Sequence, residues 1–127
     1  MYRLTVRDHV LCAHSIADPA FGPAQRLHGV TYVVEATWVA ERLDDHHVVT
    51  DIGAATARLK EVLAPLDYAN LDELPEFAGV VTTTEVLCRW VAERLAPDAP
   101  ANVTAVEVTL REHPDAWASY TLALAGR

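Results

Sequence analysis

With 127 residues, 51% hydrophobic and 22% charged, the chain has the length and composition of one soluble globular domain spanning residues 1–127. Its formal net charge of −8, from 18 acids against 10 bases, repels a phosphate backbone and argues against nucleic acid as a partner. Charge enters at Arg3 and no apolar run approaches ~18 residues, so no export signal or membrane span is expected and the expected compartment is the cytoplasm. Cys12 and Cys88 form no CxxC pair and are expected to be free thiols.

The first predicted element is a strand in which Tyr2, Leu4 and Val6 alternate with Arg3, Thr5 and Arg7, continuing through Val10 to His14. Residues 15–25, with Pro19, Gly22 and Pro23, read as a loop. From Leu27 to Arg42 runs the longest β signal, with His28, Val30, Tyr32, Val34, Ala36 and Trp38 sharing one face. The period then becomes helical. Asp51 is the predicted N-cap of a helix carrying Ile52, Ala55, Leu59, Val62, Leu63 and Leu66, closed by Pro65 and Asp67. A second helix is predicted to start in Thr82-Thr83-Thr84-Glu85 as a capping box, with Val86, Leu87, Trp90, Val91 and Leu95 on its apolar stripe and Pro97 and Pro100 at its end. Two strands follow, one with Val106, Val108, Leu110 and Glu112 on a common face, the other from Trp117 to Leu124.

The order ββααββ predicts an α+β fold: an antiparallel four-stranded sheet with two helices on one face. Such a sheet has two long free edges, and a homo-oligomer is the simplest way to pair them.

His14 ends the first strand and His28 begins the second, so antiparallel pairing makes them neighbours. A His-x-His strand plus a third histidine would supply the three nitrogens of a catalytic zinc, but Val30 occupies the middle position. The two imidazoles are then either a metal-free polar pair at a pocket rim or an incomplete metal site. Cys12, on the His14 face, is either an extra ligand or a packed thiol. Glu112 ends an apolar stripe and marks a pocket, an interface or a charge emerging into water. Asp67 and Tyr68 either shape a turn or form an acid and hydrogen-bond donor pair. His46 and His47 are expected in a solvent-facing loop, and His113 on the face opposite Glu112.

These segments together resemble the 6-pyruvoyltetrahydropterin and 6-carboxytetrahydropterin synthase family, which has the tunnelling fold. Cys12-Ala13-His14 resembles the family's Ala-Ala-His; Leu27-His28-Gly29-Val30-Thr31-Tyr32 resembles Leu-His-Gly-His-Asn-Tyr; Val48-Val49-Thr50-Asp51-Ile52 resembles Met-Val-x-Asp-Phe. Leu66-Asp67-Tyr68-Ala69-Asn70-Leu71-Asp72 is similar to Leu-Asp-His-x-x-Leu-Asn, Thr83-Thr84-Glu85 partly resembles Pro-Thr-x-Glu-Asn, and Glu112 and Tyr120 are similar to the terminal Glu and Tyr.

The resemblance implies a zinc held by three histidines, of which His14 and His28 are present and the third is Val30. It implies a cysteine where Ala24 stands, and an Asp-His pair that has become Asp67-Tyr68. It also implies a ring-anchoring glutamate, kept as Glu112, with Thr83 and Thr84 beside the substrate, and sites at subunit interfaces of a trimer or hexamer. The departures fall on the chemistry and the matches on the fold and the ring anchor. The expected protein is therefore a divergent enzyme doing metal-independent acid–base chemistry, such as cyclisation, elimination or isomerisation, on a planar or cyclic small molecule. Glu112 is expected to anchor, His14 or His28 to act as base, and Asp67 and Tyr68 to support proton transfer. No cofactor is expected, with zinc as the alternative. The competing readings are a zinc-dependent lyase of the family's usual kind and a non-catalytic ligand-binding or assembly subunit.

Overall fold

The computed structural model describes residues 1–127. Two strands of 13 residues, β1 (Tyr2–His14) and β2 (His28–Ala40), pair antiparallel from Tyr2 opposite Ala40 to His14 opposite His28. Their period-2 pattern decides which face is buried: Val6, Val10, Cys12 and His14 of β1, and Val30, Tyr32, Val34, Ala36 and Trp38 of β2, all point into the core. A short β3 (Ala69–Asn70) runs parallel to Cys12–Ala13, and β4 (Val103–His113) and β5 (Ala116–Ala123) complete the order β3-β1-β2-β4-β5. The sheet therefore has five strands rather than the expected four. Two residues between the helices carry no strand-like pattern, and only their pairing with β1 makes them a strand.

Helix α1 (Ile52–Leu63) lies over β1, and α2 (Thr84–Leu95) over β4 and β5. Asp51 caps α1 as expected, its carboxylate accepting from Ala54 N at 2.8 Å. The stripe Ala55, Leu59, Val62 and Leu63 is buried, whereas Ile52 in the first turn is exposed. The capping box expected for α2 does not form. Thr83 is the N-cap and accepts from Val86 N at 3.2 Å, so the residue three positions on is Val86 and Glu85 lies one place too early to reciprocate. The segment expected to be an irregular loop contains a pair of 3₁₀ turns over Pro19–Gln25, joined at Gly22, whose φ of 52° suits a residue without Cβ.

Leu59, Leu66, Leu71, Leu87, Leu95 and Leu110 fill the space between helices and sheet. The opposite sheet face is polar. Glu35 sits between Arg7 (2.7 Å) and Arg111 (3.0 Å), Arg3 pairs with Glu107 at 2.9 Å, and Thr5 with Thr37 at 2.7 Å. Hydrogen bonding from Arg7, against some opposing burial and with Arg111 helping, holds the Glu35 carboxyl below its ordinary value.

The β2–β4–β5 register sets up the site. The β4–β5 pairing runs from Ala105 opposite Ala123 to Arg111 opposite Trp117 and then jumps to His113 opposite Ala116, leaving Glu112 as the extra residue of a β-bulge. A bulge frees one residue from the ladder and re-aims its side chain, and here that residue is the carboxylate at the end of the apolar stripe.

Candidate functional site

Three strand ends and the start of α2 converge on a cavity of about 240 Å³. His14 enters from the end of β1, His28 from the start of β2, Glu112 from the β4 bulge and Thr83, Thr84 and Glu85 from the cap of α2. Ala24 lines it from the 3₁₀ segment. The two imidazoles face each other edge to face with ring centres 4.6 Å apart, a direct result of the His14–His28 register pair.

Each imidazole has one nitrogen tied to the protein. His14 Nδ1 lies 3.0 Å from Thr82 Oγ1, and His28 Nδ1 lies 2.8 Å from the Arg26 carbonyl. His14 is buried, at 1% exposure, and its Nε2 has no partner. Burial lowers its pKa from the ordinary value of 6.5, with His28 beside it pushing the same way and the Glu112 carboxylate partly opposing both. His14 is thus held neutral at pH 7, with one nitrogen free to accept a proton. Tyr32, two turns of the pleat along the His28 face, is fully buried and its ring stands 6.3 Å from that of His14. Its hydroxyl also has no partner. Burial pushes the phenol pKa far up, with the Thr84 hydroxyl pulling the other way from outside hydrogen-bonding geometry. Thr84 Oγ1 lies 3.5 Å from Glu112 Oε2, a long contact that leaves the exposed carboxylate largely free for a ligand.

Val30 occupies the third position of the expected histidine set and is buried opposite Cys12. No three His, Cys, Asp or Glu side chains are grouped to hold a metal ion. Cys12 does not repair the set. It does not line the cavity, and burial, aided by the Asp67 carboxylate, pushes its thiol up to about 11, which keeps it protonated and a poor ligand. Two imidazoles do not match the three-ligand donor set of a catalytic zinc.

Asp67 and Tyr68 are not among the residues that line this cavity. Asp67 Oδ1 accepts from Leu11 N at 3.0 Å, and Tyr68, with φ of 55°, projects into solvent at 84% exposure. His113 borders a wider depression of about 660 Å³ on the polar sheet face, together with Arg7, Arg111 and Val30, and His28 and Glu112 border both hollows. His46 and His47 are exposed in the β2–α1 loop. Sequence reasoning did not single out Tyr32 or Thr82. For Tyr32 the available signal was its place on the His28 face; Thr82 was absorbed into the expected capping box.

Among curated proteins, the chain is 28% identical over 119 residues to the 6-carboxy-5,6,7,8-tetrahydropterin synthase of Bacillus subtilis, covering 88% of this chain and 80% of that one. It is 37% identical over 82 residues to the 6-pyruvoyl tetrahydrobiopterin synthase of Poecilia reticulata, covering 60% of this chain and 53% of that protein. In fold it is similar to the solved 6-pyruvoyl tetrahydropterin synthase of Caenorhabditis elegans, with a TM-score of 0.83, 23% identity and 96% of each chain covered. The family model described as 6-pyruvoyl tetrahydropterin synthase matches residues 3–123, and the chain belongs to that family.

Proposed function

We propose that this family member is an enzyme of pterin-synthase type that works without a resident metal. Glu112 anchors a planar ring by presenting its carboxylate oxygens to adjacent ring N–H groups, and a buried imidazole performs acid–base chemistry on a substituent of that ring. The observation that carries this reading is the convergence of Glu112, His14 and His28 on one cavity while Val30 stands where a third imidazole would be. The matching reaction classes are cyclisation, elimination and isomerisation. Each needs a proton taken from the substrate and another returned, and none of the three needs an electron acceptor. His14, which lines the cavity, is the better base, because its Nδ1 is fixed by Thr82 and its Nε2 has no partner within the protein.

The returning proton comes from a second copy of the chain in this reading. Tyr68 is aromatic, exposed and held in a left-handed backbone conformation, which suits a side chain meant for a neighbouring subunit's site. A trimer or hexamer would deliver it there.

The test is turnover of a pterin substrate by enzyme treated with a strong chelator and then freed of it. Unchanged turnover is expected, with Glu112→Gln weakening pterin binding roughly 10-fold or more. Loss of turnover on chelation and its return with zinc would establish the second reading, a zinc enzyme completed from outside this donor set. That reading draws on the Nδ1 bonds to Thr82 and Arg26, which orient both Nε2 atoms as metal-ligating histidines are oriented. Binding without any turnover would instead mark a ligand-binding subunit.

A further inference from the structure

Across the polar face of the sheet, four side chains stand in one row over four strands: Arg7 on β1, Glu35 on β2, Arg111 on β4 and Trp117 on β5. The register builds the row. Arg7 is paired opposite Glu35 and Arg111 opposite Trp117, while Glu35, whose direct partner on β4 is Thr109, reaches diagonally to Arg111. Arg111 is therefore held from two sides. Its Nε donates to Glu35 Oε1 at 3.0 Å, and its guanidinium carbon lies 4.3 Å from the centre of the Trp117 ring. Its side chain is 30% exposed, against 66% for Arg7, the other cation on Glu35.

Arg111 is also the last residue of β4 paired on both flanks, with Val33 of β2 and Trp117 of β5. Glu112 follows it with a ladder partner on neither side. A residue freed from both ladders takes its direction from the anchored residue beside it. The Glu112 carboxylate itself has only the long contact of 3.5 Å from Thr84 Oγ1 to steady it. We propose that Arg111 is a positioning residue for Glu112: Glu35 and Trp117 fix the Arg111 side chain on the polar face, and this fixes the bulge from which Glu112 reaches the cavity.

This rests on the ring-anchoring reading of Glu112 and deepens it by naming what aims the anchor. A carboxylate displaced by ~1 Å loses the alignment of its two oxygens with adjacent ring N–H groups. Arg111 does not line the cavity that holds His14 and Glu112, so it acts on a ligand there through Glu112 and not by contact.

A double-mutant cycle tests it, with unsubstituted pterin as a fluorescent probe titrated against the natural chain, Arg111→Met, Glu112→Ala and the double variant. Methionine keeps an unbranched stem beside Trp117 and loses the donors, and Glu35 keeps Arg7, so no carboxylate is stranded. Arg111→Met is expected to weaken pterin binding about 5-fold and Glu112→Ala about 10-fold or more, while the double variant binds no worse than Glu112→Ala. An arginine with a merely structural role would weaken both backgrounds alike. Crystal structures of the natural chain and Arg111→Met should show the Glu112 carboxylate displaced by about 1 Å or more. If Arg111→Met does not fold, Trp117→Leu, at a residue 55% exposed, removes the other hold and takes its place in both measurements, with an expected loss of about 2- to 3-fold. Equal losses in the two backgrounds, no loss in either, or an unmoved Glu112 carboxylate would overturn the positioning role and leave the ring anchor standing. If Glu112→Ala leaves pterin affinity unchanged, or the natural chain binds no pterin, the ring anchor falls. The crystals alone then decide the positioning role: a displaced carboxylate upholds it and an unmoved one overturns it.

Discussion

Val30 is the residue that separates this cavity from a three-imidazole site, and Val30→His measures that separation. Val30 is 8% exposed, pairs opposite Cys12 and lies two residues beyond His28 on the same strand face. A histidine there is larger than valine and brings polar nitrogens into the core, so the metal-free variant should lose ~2 kcal/mol from overpacking and incomplete hydrogen bonding. For a chain of this size each kcal/mol moves Tm by roughly 3 to 5 °C, giving a fall of about 6 to 10 °C. Zinc at 1,000 times its Kd would return ~4 kcal/mol, which more than reverses the loss and raises Tm by roughly 12 to 20 °C above that of the metal-free variant. The natural chain should show little zinc response under the same conditions. Differential scanning fluorimetry with and without zinc reads both effects, and metal analysis after desalting gives the stoichiometry. If the natural chain responds as strongly as the variant, the donor set is complete without residue 30. If the variant gains no zinc response, His14 and His28 are not disposed as two thirds of a metal site. Either result refutes the reasoning.

Three further outcomes follow from particular contacts. Thr83→Ala should destabilise the chain by about 1 kcal/mol in chemical denaturation because α2 loses its N-cap, whereas Glu85→Ala, which removes the only side chain that could close a capping box, should cost clearly less, since no such box exists; equal losses would contradict the cap geometry. Both thiols are buried and pushed up to about 11, Cys88 also donating to the Ala118 carbonyl at 3.2 Å, so native protein at pH 8 should react with an aromatic disulfide reagent only as fast as it unfolds; prompt labelling would refute this. Glu35 has its pKa depressed in the folded state by Arg7 and Arg111, so its contribution is present above the ordinary carboxyl value of 4.5 and is lost as pH falls through the lower folded value. Thermal scans from pH 6 to pH 3 should therefore show a shallower acid decline for Glu35→Gln than for the natural chain, and parallel declines would show that the pairs contribute nothing.

The strands and helices were legible because their apolar residues repeat at 2.0 and 3.6 and the faces they define are the ones that are buried. The register pair His14–His28 followed from two strands of equal length joined by one excursion. What periodicity could not carry was local: the two-residue β3, fixed by a tertiary partner, and the one-position shift of the α2 cap among three adjacent threonines. The role of Glu112 was only half legible. Its place at the end of Val106, Val108 and Leu110 pointed to the pocket, but its re-aiming comes from a bulge that no pattern in the sequence announces. Tyr32 was hidden for the opposite reason: it fits the apolar face so well that its hydroxyl looked incidental, and only the lack of any partner for that hydroxyl distinguishes it from packing.

Asp67 and Tyr68 connect the site to the question of assembly. On the free side of β1, Leu11 has its N–H taken by Asp67 Oδ1 and its carbonyl by Tyr68 N, and β3 then pairs Cys12 and Ala13. Asp72 continues the seal, accepting from Ser15 N and Ser15 Oγ. Residues 67–72 thus close the end of β1 nearest His14 and leave Tyr2 to Val10 unpaired on that side, while β5 is unpaired at the other edge of the sheet. An added strand from a second copy can pair with β1 only before Leu11, so its register is bounded by the very segment that carries Tyr68. Tyr68, 84% exposed, stands where such a strand would meet the sealed end. A turn that saturates the edge of its own chain would also bound where a second copy could pair, and on that proposal Tyr68→Ala should weaken assembly or turnover without lowering monomer stability by more than about 0.5 kcal/mol. Sedimentation velocity together with turnover separates the two effects, and a variant unchanged in both would remove Tyr68 from the site and from the interface alike.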